Sequence, residues 1–134
     1  NADVISNLDI SKLTEYHVRQ QALATLVVRE RPSSRHFLFD DRYELCGWEN
    51  SKTGQKILAR DDRGVSGIPF SGIHVIQPSI FDLIHEEGKF SIVDVYIRLA
   101  GQQKIVGFLD NDSRWFDIGD VEKLKRADEW LKRR

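Results

Sequence analysis

Segments with helical periodicity and segments with strand periodicity alternate along this chain, and this alternation constrains its fold more than any other feature. Asp9 is a suitable N-cap for a helix from Ile10 to Ala22, and the apolar, β-branched run "ATLVVRE" predicts a strand directly after that helix. The second half of the chain alternates in the same way. The strand "GIHVIQ" is followed by a short helix that begins at Pro78 and by the helix "IVDVYIRLA", for which Ser91 is the N-cap. The strand "KIVGFLD" comes next, and a last helix is predicted over about Val121 to Lys132, with Asp120 as its N-cap. Strands that alternate with helices predict an α/β fold.

A second part of the chain is patterned for antiparallel pairing. The segments "HFLFD" and "YELCGWE" alternate around the turn residues Asp40 and Arg42, which predicts a β-hairpin, and "SKTGQ" predicts a loop or a second turn. We expect the hairpin to project from the wound sheet, and the glycine-rich and charged segment Arg60 to Gly72 to be an exposed loop. The predicted fold class is therefore α/β, with a mixed sheet, flanking helices and a β-hairpin. The 134 residues suffice for a single domain.

The composition excludes several classes of function. With 40% hydrophobic residues, 31% charged residues and a formal net charge of -1, the chain has neither the bias of a disordered segment nor a basic surface for nucleic acid. The single cysteine, Cys46, lies in the alternating run "YELCGW", which favours a buried structural thiol and a reducing compartment. No apolar run approaches the ~18 residues of a membrane span, and no signal peptide is recognisable, so we expect a cytoplasmic protein with no membrane partner.

The beginning of the chain suggests that it is part of a longer protein. It contains no methionine, and "NADVISNLDI" opens with polar residues that resemble the exit from a strand whose apolar part is absent. Removal of neighbouring strands exposes a sheet edge and an apolar surface. We therefore expect this chain to self-associate or to bind a missing N-terminal half.

Two acidic residues occupy places where α/β proteins bind ligands. Asp117 follows "RWF" and precedes the predicted last helix, and Asp3 precedes the first helix. Because strand ends of this kind face a shared crevice, two carboxylates there are suited to a hard cation such as Mg²⁺, which commonly brings phosphates with it. Acidic residues at strand ends also serve as helix caps and loop groups, and spacing alone leaves that alternative open.

Four segments, taken in order, resemble the sugar nucleotidyltransferase family, in particular its mannose-1-phosphate guanylyltransferase-like and N-acetylmuramate-1-phosphate uridylyltransferase-like branch. They are "NADVISNLDISKLTEYHVRQQALATLVV", "FSGIHVIQPSIFDLI", "GKFSIVDVYIRLA" and "WFDIGDVEKLKRADEWL". The resemblance implies the C-terminal part of a Rossmann-like nucleotidyltransferase fold. It also implies transfer of a nucleotidyl group from a nucleoside triphosphate to a sugar 1-phosphate, with release of pyrophosphate.

The resemblance also implies roles for particular residues. Asp3 and Asp117 match the family's two aspartates that bind Mg²⁺, and Gly72 matches a glycine whose backbone approaches the sugar phosphate, although a plain strand-entry glycine is an alternative. Asp94 corresponds to positions that face the sugar, with an exposed helix acid as the alternative. Polar contacts to the sugar are also implied for three residues of "GWENSKTG", namely Glu49, Asn50 and Lys52.

The chain departs from the family pattern in three places. Ala2 stands where a glycine is common, the glutamate-lysine-proline stretch of the sugar site is replaced by "GWENSKTG", and no glycine-rich, arginine-containing phosphate loop is present in these 134 residues. We therefore expect this chain to be inactive without the missing half. A non-catalytic regulatory or sugar-nucleotide-binding module of the same fold is the alternative function.

Overall fold

The computed structural model of the chain describes residues 4–61 and 63–117, with the side chains of residues 7–61 and 63–114. Its elements are β1 Val4–Ser6, α1 Ile10–Gln20, β2 Ala24–Val28, β3 Arg35–Phe39, β4 Leu45–Asn50, β5 Gln55–Leu58, β6 Ser66–Ile68, β7 Phe70–Ile76, a 3₁₀ helix Pro78–Leu83, α2 Ile92–Ala100, β8 Ile105–Leu109 and β9 Trp115–Asp117. Asp3, Asp120 and the predicted helix over Val121 to Lys132 lie outside the described residues.

The predicted starts of α1 and α2 are confirmed. The Asp9 carboxylate accepts hydrogen bonds from the backbone N–H groups of Ser11, at 3.0 Å, and Lys12, at 3.3 Å. The Ser91 hydroxyl accepts from Val93 N in the same way and begins α2. These side chains satisfy N–H groups that have no partner within the helix, which is why each helix begins where it does.

Within the described residues, the strands form three sheets, one of which mixes parallel and antiparallel pairing. One has the order β7-β2-β8, in which β2 is parallel to β8 and antiparallel to β7. A second, antiparallel sheet has the order β5-β4-β3-β6, and β1 pairs with β9 in a third. The fold is therefore mixed α/β, as the alternation of segments predicts.

The predicted hairpin forms as β3 and β4, but the expectation that it projects from the sheet is wrong. Phe37 and Phe39 are both 1% exposed and belong to the same hydrophobic cluster as the β2 residues Leu26 and Val28. Burial of these aromatic side chains stabilises the contact between the two larger sheets. The backbone joins them as well, because Gly107 N of β8 donates to Tyr43 O at 2.8 Å.

The segment Arg60 to Gly72 is also more ordered than predicted. Its second half contains β6, which pairs with β3, and the start of β7, and Ile68 is buried. This pairing could not be predicted from the sequence, because β6 has only three residues, too few to show an alternation of apolar and polar side chains.

The position of Cys46 supports the prediction of a buried structural thiol. Cys46 is buried in β4 beside α2, and burial raises the pKa of its thiol, so the group is a structural one. Within residues 4–61 and 63–117, no helix is long and apolar enough to cross a membrane.

Candidate functional site

Three strands meet around the end of β9, where Asp117 lies. In the antiparallel ladder of β1 and β9, Asp117 is opposite Val4, the residue that follows Asp3 in the sequence. Strand β1 also contacts β7, which carries Gly72. β1 therefore contacts both the strand of Asp117 and the strand of Gly72.

The loop before β9 is held to the end of the central strand β2. Arg29 donates from Nη1 to Ser113 O at 3.0 Å and from Nη2 to Asn111 O at 3.3 Å. The Asn111 side-chain oxygen accepts from Glu30 N at 2.9 Å. Carbonyl groups that accept from a charged guanidinium are held more firmly than those with neutral donors. The start of β9 is thus positioned by β2.

The same loop is held internally and from β1. Asp110, 9% exposed, accepts from Ser113 N at 3.1 Å, and it also accepts from the Ser113 hydroxyl. The Asn7 side-chain oxygen accepts from Arg114 N at 2.6 Å, and Asn7 N donates to Arg114 O at 3.1 Å. Sequence reasoning missed Arg29 and Asp110 as positioning residues. The sequence does contain a signal for them, because Asp110 directly follows β8 and Arg29 directly follows β2, the two parallel strands.

Gly72 lies at an irregularity of β7. The register between β2 and β7 shifts between Leu26 and Val28, and Gly72 has φ 88° and is buried. Residues with a side chain rarely adopt such a φ, so glycine is needed here for the backbone conformation alone. Ser71 fixes the preceding residue by donating from its hydroxyl to Val27 O at 2.9 Å.

Two residues after Gly72, an aromatic pair links β7 to α2. His74 Nδ1 lies within hydrogen-bonding distance of the Tyr96 hydroxyl, and the two rings are perpendicular with centroids 5.8 Å apart. Desolvation lowers the pKa of His74, and burial raises that of Tyr96. Both shifts favour the uncharged forms of the two side chains, and the hydrogen bond between them ties β7 to α2.

The other predicted sugar contacts lie on the four-stranded sheet and on α2. Glu49 is half-buried and its Oε2 is 3.3 Å from His36 Nδ1. The Asn50 side-chain oxygen accepts from the backbone N–H of Lys52, at 3.0 Å, and of Thr53, so Asn50 shapes the turn between β4 and β5. Lys52 is exposed in that turn.

Asp94 is exposed in the first turn of α2, directly before the buried residue Val95. The described contacts of Glu49, Asn50 and Lys52 stay within the four-stranded sheet, whereas Gly72 belongs to the three-stranded one. The strands of Gly72 and Asp117 thus share β1 as a neighbour, and the remaining candidates lie on other elements.

The predicted metal ligands are Asp3, which lies outside the described residues, and Asp117, of which only the backbone is described. Within residues 4–61 and 63–117, no group of three or more His, Cys, Asp or Glu side chains could hold a metal ion. The β1–β9 register places the backbone of Asp117 opposite that of Val4, the residue that follows Asp3 in the sequence. Mg²⁺ is commonly bound in proteins by one or two carboxylates together with substrate phosphates and water.

Comparison with known proteins gives one curated relative and a consistent set of solved structures. The chain is 24% identical over 121 residues to a mannose-1-phosphate guanyltransferase of Yarrowia lipolytica, covering 89% of this chain and 31% of that protein. No protein-family model matches the chain.

The structural matches cover almost the whole chain. One is a protein from Bacillus anthracis described as a glucose-1-phosphate thymidylyltransferase and solved with sucrose, at TM-score 0.66 and 17% identity over 96% of this chain and 51% of that one. Another is apo UDP-glucose pyrophosphorylase, at TM-score 0.59 and 16% identity over 97% of this chain and 51% of that one. The chain thus spans about a third to a half of these relatives, and its fold is that of a portion of the sugar nucleotidyltransferases, as the four sequence segments predict.

Proposed function

We propose that residues 1–134 form the sugar-phosphate- and metal-binding portion of a Mg²⁺-dependent sugar-1-phosphate nucleotidyltransferase. The observation that supports the proposal is the register of β1 and β9, which sets Asp117 opposite Val4 in β1, a strand that also contacts the strand of Gly72. The relatives are named for nucleotidyl transfer to sugar phosphates, which supports the same chemistry for the complete protein.

In this proposal, Asp3 and Asp117 hold Mg²⁺. The ion, when bound, supplies charge neutralisation to the triphosphate and the sugar phosphate. Arg29 and Asp110 keep the loop before β9 in place, so that the backbone of this loop does not have to be ordered when substrates bind. The chain's contribution at this end of the sheet is therefore a prepositioned strand that carries an acidic residue.

Gly72 admits the sugar phosphate by letting a ligand approach the backbone closely. An oxygen of the sugar 1-phosphate attacks the α-phosphorus of the nucleoside triphosphate in line, and the bond from that phosphorus to pyrophosphate breaks. Such a displacement needs positioning and charge neutralisation rather than a covalent nucleophile. Four further residues are proposed as polar contacts to the sugar, namely Glu49, Asn50, Lys52 and Asp94.

The complete protein tests the proposal directly. It is incubated with Mg²⁺, each nucleoside triphosphate, and mannose 1-phosphate or N-acetylmuramate 1-phosphate, and pyrophosphate release is measured with and without a chelator. We expect release with at least one pair, abolished by chelation. We expect the 134-residue chain alone to release no more pyrophosphate than a blank without protein. Release above the blank would show that the nucleotide site has been misplaced.

A regulatory or sugar-nucleotide-binding module is the second candidate. It differs from the enzyme in the N-terminal half: an intact glycine-rich phosphate loop there would favour the enzyme, and a degenerate one would favour this module. Binding of a nucleotide sugar by the complete protein, without pyrophosphate release from any pair, would identify that role. We also propose a reducing, cytoplasmic location for either function, which the burial of the single cysteine, Cys46, supports.

A further inference from the structure

A cleft of about 610 Å³ lies at one end of the three-stranded sheet. It is formed where the chain enters β2 and β8 and where it leaves β7, and because β7 is antiparallel to β2, these positions share one end of the sheet. Arg29 and Asp110 follow β2 and β8 at the other end, so the cleft is remote from the loop that leads to Asp117. We call it the glutamine cleft, and the described residues that line it are Val18, Gln21, Ala22, Leu23, Gln77, Ser79, Gln103 and Lys104.

Three glutamines come to this cleft from three separate connections of the chain. Gln21 lies between α1 and β2, Gln77 directly follows β7, and Gln103 lies between α2 and β8. The connections are joined at Leu23, whose backbone N–H donates to Lys104 O at 2.8 Å and whose carbonyl accepts from Gln77 N at 2.8 Å. The cleft is therefore built into the end of the sheet rather than formed by one free loop.

The Gln77 carboxamide is held from inside the protein. Its Nε2 is 3.4 Å from Nε2 of His17, a buried side chain whose other ring nitrogen is 2.7 Å from the Thr25 hydroxyl. A carboxamide nitrogen can only donate, so the oxygen of Gln77 is the group left to accept. No hydrogen bond from another described residue reaches that oxygen, and it remains for a donor on a ligand.

Gln21 has a backbone conformation that a glutamine rarely adopts. It follows the last turn of α1 with φ 52° and ψ 41°, in a place where glycine is the usual residue. Strained residues of this kind are found preferentially at sites that bind ligands. Glycine would relieve the strain but would also remove a carboxamide from the cleft, which points to a use for that side chain.

The described wall of the glutamine cleft carries one positive charge and no negative one. Lys104 is its only charged residue, and no ion pair with another described residue engages the Lys104 ammonium group. The side chains of Gln21, Ser79 and Gln103 likewise form no hydrogen bond within the described part of the chain. A single cation is too little for a polyanion such as nucleic acid, but it suits a small ligand with one anionic group.

We propose that the glutamine cleft binds a nucleotide, with the base at the carboxamides and the phosphate at Lys104. A carboxamide offers a donor and an acceptor in one plane, which is the arrangement that pairs with two neighbouring atoms on the edge of a nucleobase. An ammonium group binds phosphate as a point charge. Val18, Ala22 and Leu23 provide apolar surface for the face of the base, and a volume of about 610 Å³ is ample for a mononucleotide.

This inference goes beyond the proposed function, because neither Asp117 nor Gly72 takes part in it. The nucleoside triphosphate of the proposed reaction binds elsewhere, with the missing N-terminal half. If both proposals hold, the complete protein has two nucleotide-binding events, and the variants below weaken the one at the cleft. Failure of pyrophosphate release would refute the proposed function and leave the cleft event unchanged.

The complete protein is titrated by calorimetry with AMP, GMP, CMP and UMP, with a chelator in place of Mg²⁺. We expect at least one of the four to bind about tenfold more tightly than its nucleoside or ribose 5-phosphate, and Lys104→Gln or Gln103→Leu to weaken that binding about tenfold. Gln102→Leu is the matched control and should bind as the parent protein does. Gln102 is exposed, its backbone N–H donates to Leu99 O as that of Gln103 does, and it is not part of the cleft wall.

The variants decide whether the nucleotide is in the cleft. A nucleotide that binds only at the proposed active site would bind Lys104→Gln and Gln103→Leu as tightly as the parent protein, and this result would overturn the proposal. Equal weakening by Gln102→Leu and Gln103→Leu would overturn it too, since it would indicate a general loss of structure. Ribose 5-phosphate that binds as tightly as the nucleotide would rule out recognition of the base by the carboxamides.

Discussion

Asp117 is paired with Val4 across an antiparallel ladder, although the two residues are separated by almost the whole described chain. The pairing joins the end of β9 to the beginning of β1, next to the strand of Gly72. The backbone of the proposed metal-binding residue is therefore placed by long-range contacts.

Asp117→Asn in the complete protein should leave the fold nearly intact and reduce activity by about 10²- to 10³-fold. The amide has the same shape as the carboxylate but lacks the charge that a cation requires. Pyrophosphate release and thermal unfolding are measured side by side. Asp112→Asn, an exposed position in the preceding loop, is the control and should keep full activity. Equal losses of activity in the two variants would indicate that Asp117 is a structural acid. A lower melting temperature as the main effect of Asp117→Asn would indicate the same.

Gly72→Ala should destabilise the protein by about 1–3 kcal/mol, because its φ of 88° is strained for any residue with a Cβ. Sugar 1-phosphate binding should weaken as well, since the added methyl group occupies space at the proposed approach to the backbone. Urea unfolding and calorimetry measure the two effects. Gly101→Ala is the matched control: a Cβ there would be 3.6 Å from Ala59 O, an ordinary contact, at a φ of -68°. Unchanged stability in Gly72→Ala would contradict the assigned backbone conformation.

Acidification should destabilise the fold through His17. This side chain is 3% exposed, with Nδ1 2.7 Å from the Thr25 hydroxyl, and burial lowers its pKa. The unfolded chain therefore takes up the proton first. The stability due to neutral His17 is fully present above pH ~6.5 and is lost as the pH falls through that value towards the lowered native pKa, by at most about 1.4 kcal/mol per pH unit.

Urea unfolding at intervals between pH 5 and 7.5 measures this slope. His17→Gln should flatten it, whereas His85→Gln, at an exposed position, should leave it unchanged. A residual slope in His17→Gln is expected from His74, whose pKa desolvation also lowers. An identical slope in the parent chain and His17→Gln would rule out the proposed linkage.

The 134-residue chain should self-associate with increasing concentration, or bind its missing half when that is supplied. Ile10 and Val18, on one face of α1, are 60% and 63% exposed, which is unusual for apolar side chains at helical spacing. Val18→Ser should weaken association in sedimentation experiments. Phe81→Ser, at an exposed apolar position on the 3₁₀ helix, should have less effect. A chain that remains monomeric over a wide concentration range would contradict the prediction.

Local signals in the sequence were sufficient for the helices and the hairpin. Asp9 and Ser91 cap the helices at the predicted residues, and the alternation around Asp40 predicted the pairing of β3 with β4. These features depend on neighbours within a few residues, so a single sequence contains them.

The pairing of distant short strands could not be predicted in this way. Strands β1, β6 and β9 have three residues each, too few for a readable period, and their partners are far away in sequence. The positioning role of Arg29 was missed for the same reason, because its acceptors at Asn111 and Ser113 are adjacent only after folding. The candidate site was therefore predicted from its acidic residues and from the chain's resemblance to a family. The residues that position the loop beside it, Arg29 and Asp110, were not predicted.

The long-range contacts around β9 also determine where this chain can be cut or extended. Asn7 and Arg29 both hold the loop that leads to Asp117, so a peptide excised around Asp117 would lose the bonds that hold the backbone of this loop. The turn between β4 and β5 is different: Asn50 closes it with local bonds, and Lys52 and Gly54 are exposed there. Loop tips of this kind tolerate insertion and circular permutation well. A tag inserted there should leave the fold and the proposed metal site in place, and it would disturb only the proposed sugar contacts of Asn50 and Lys52.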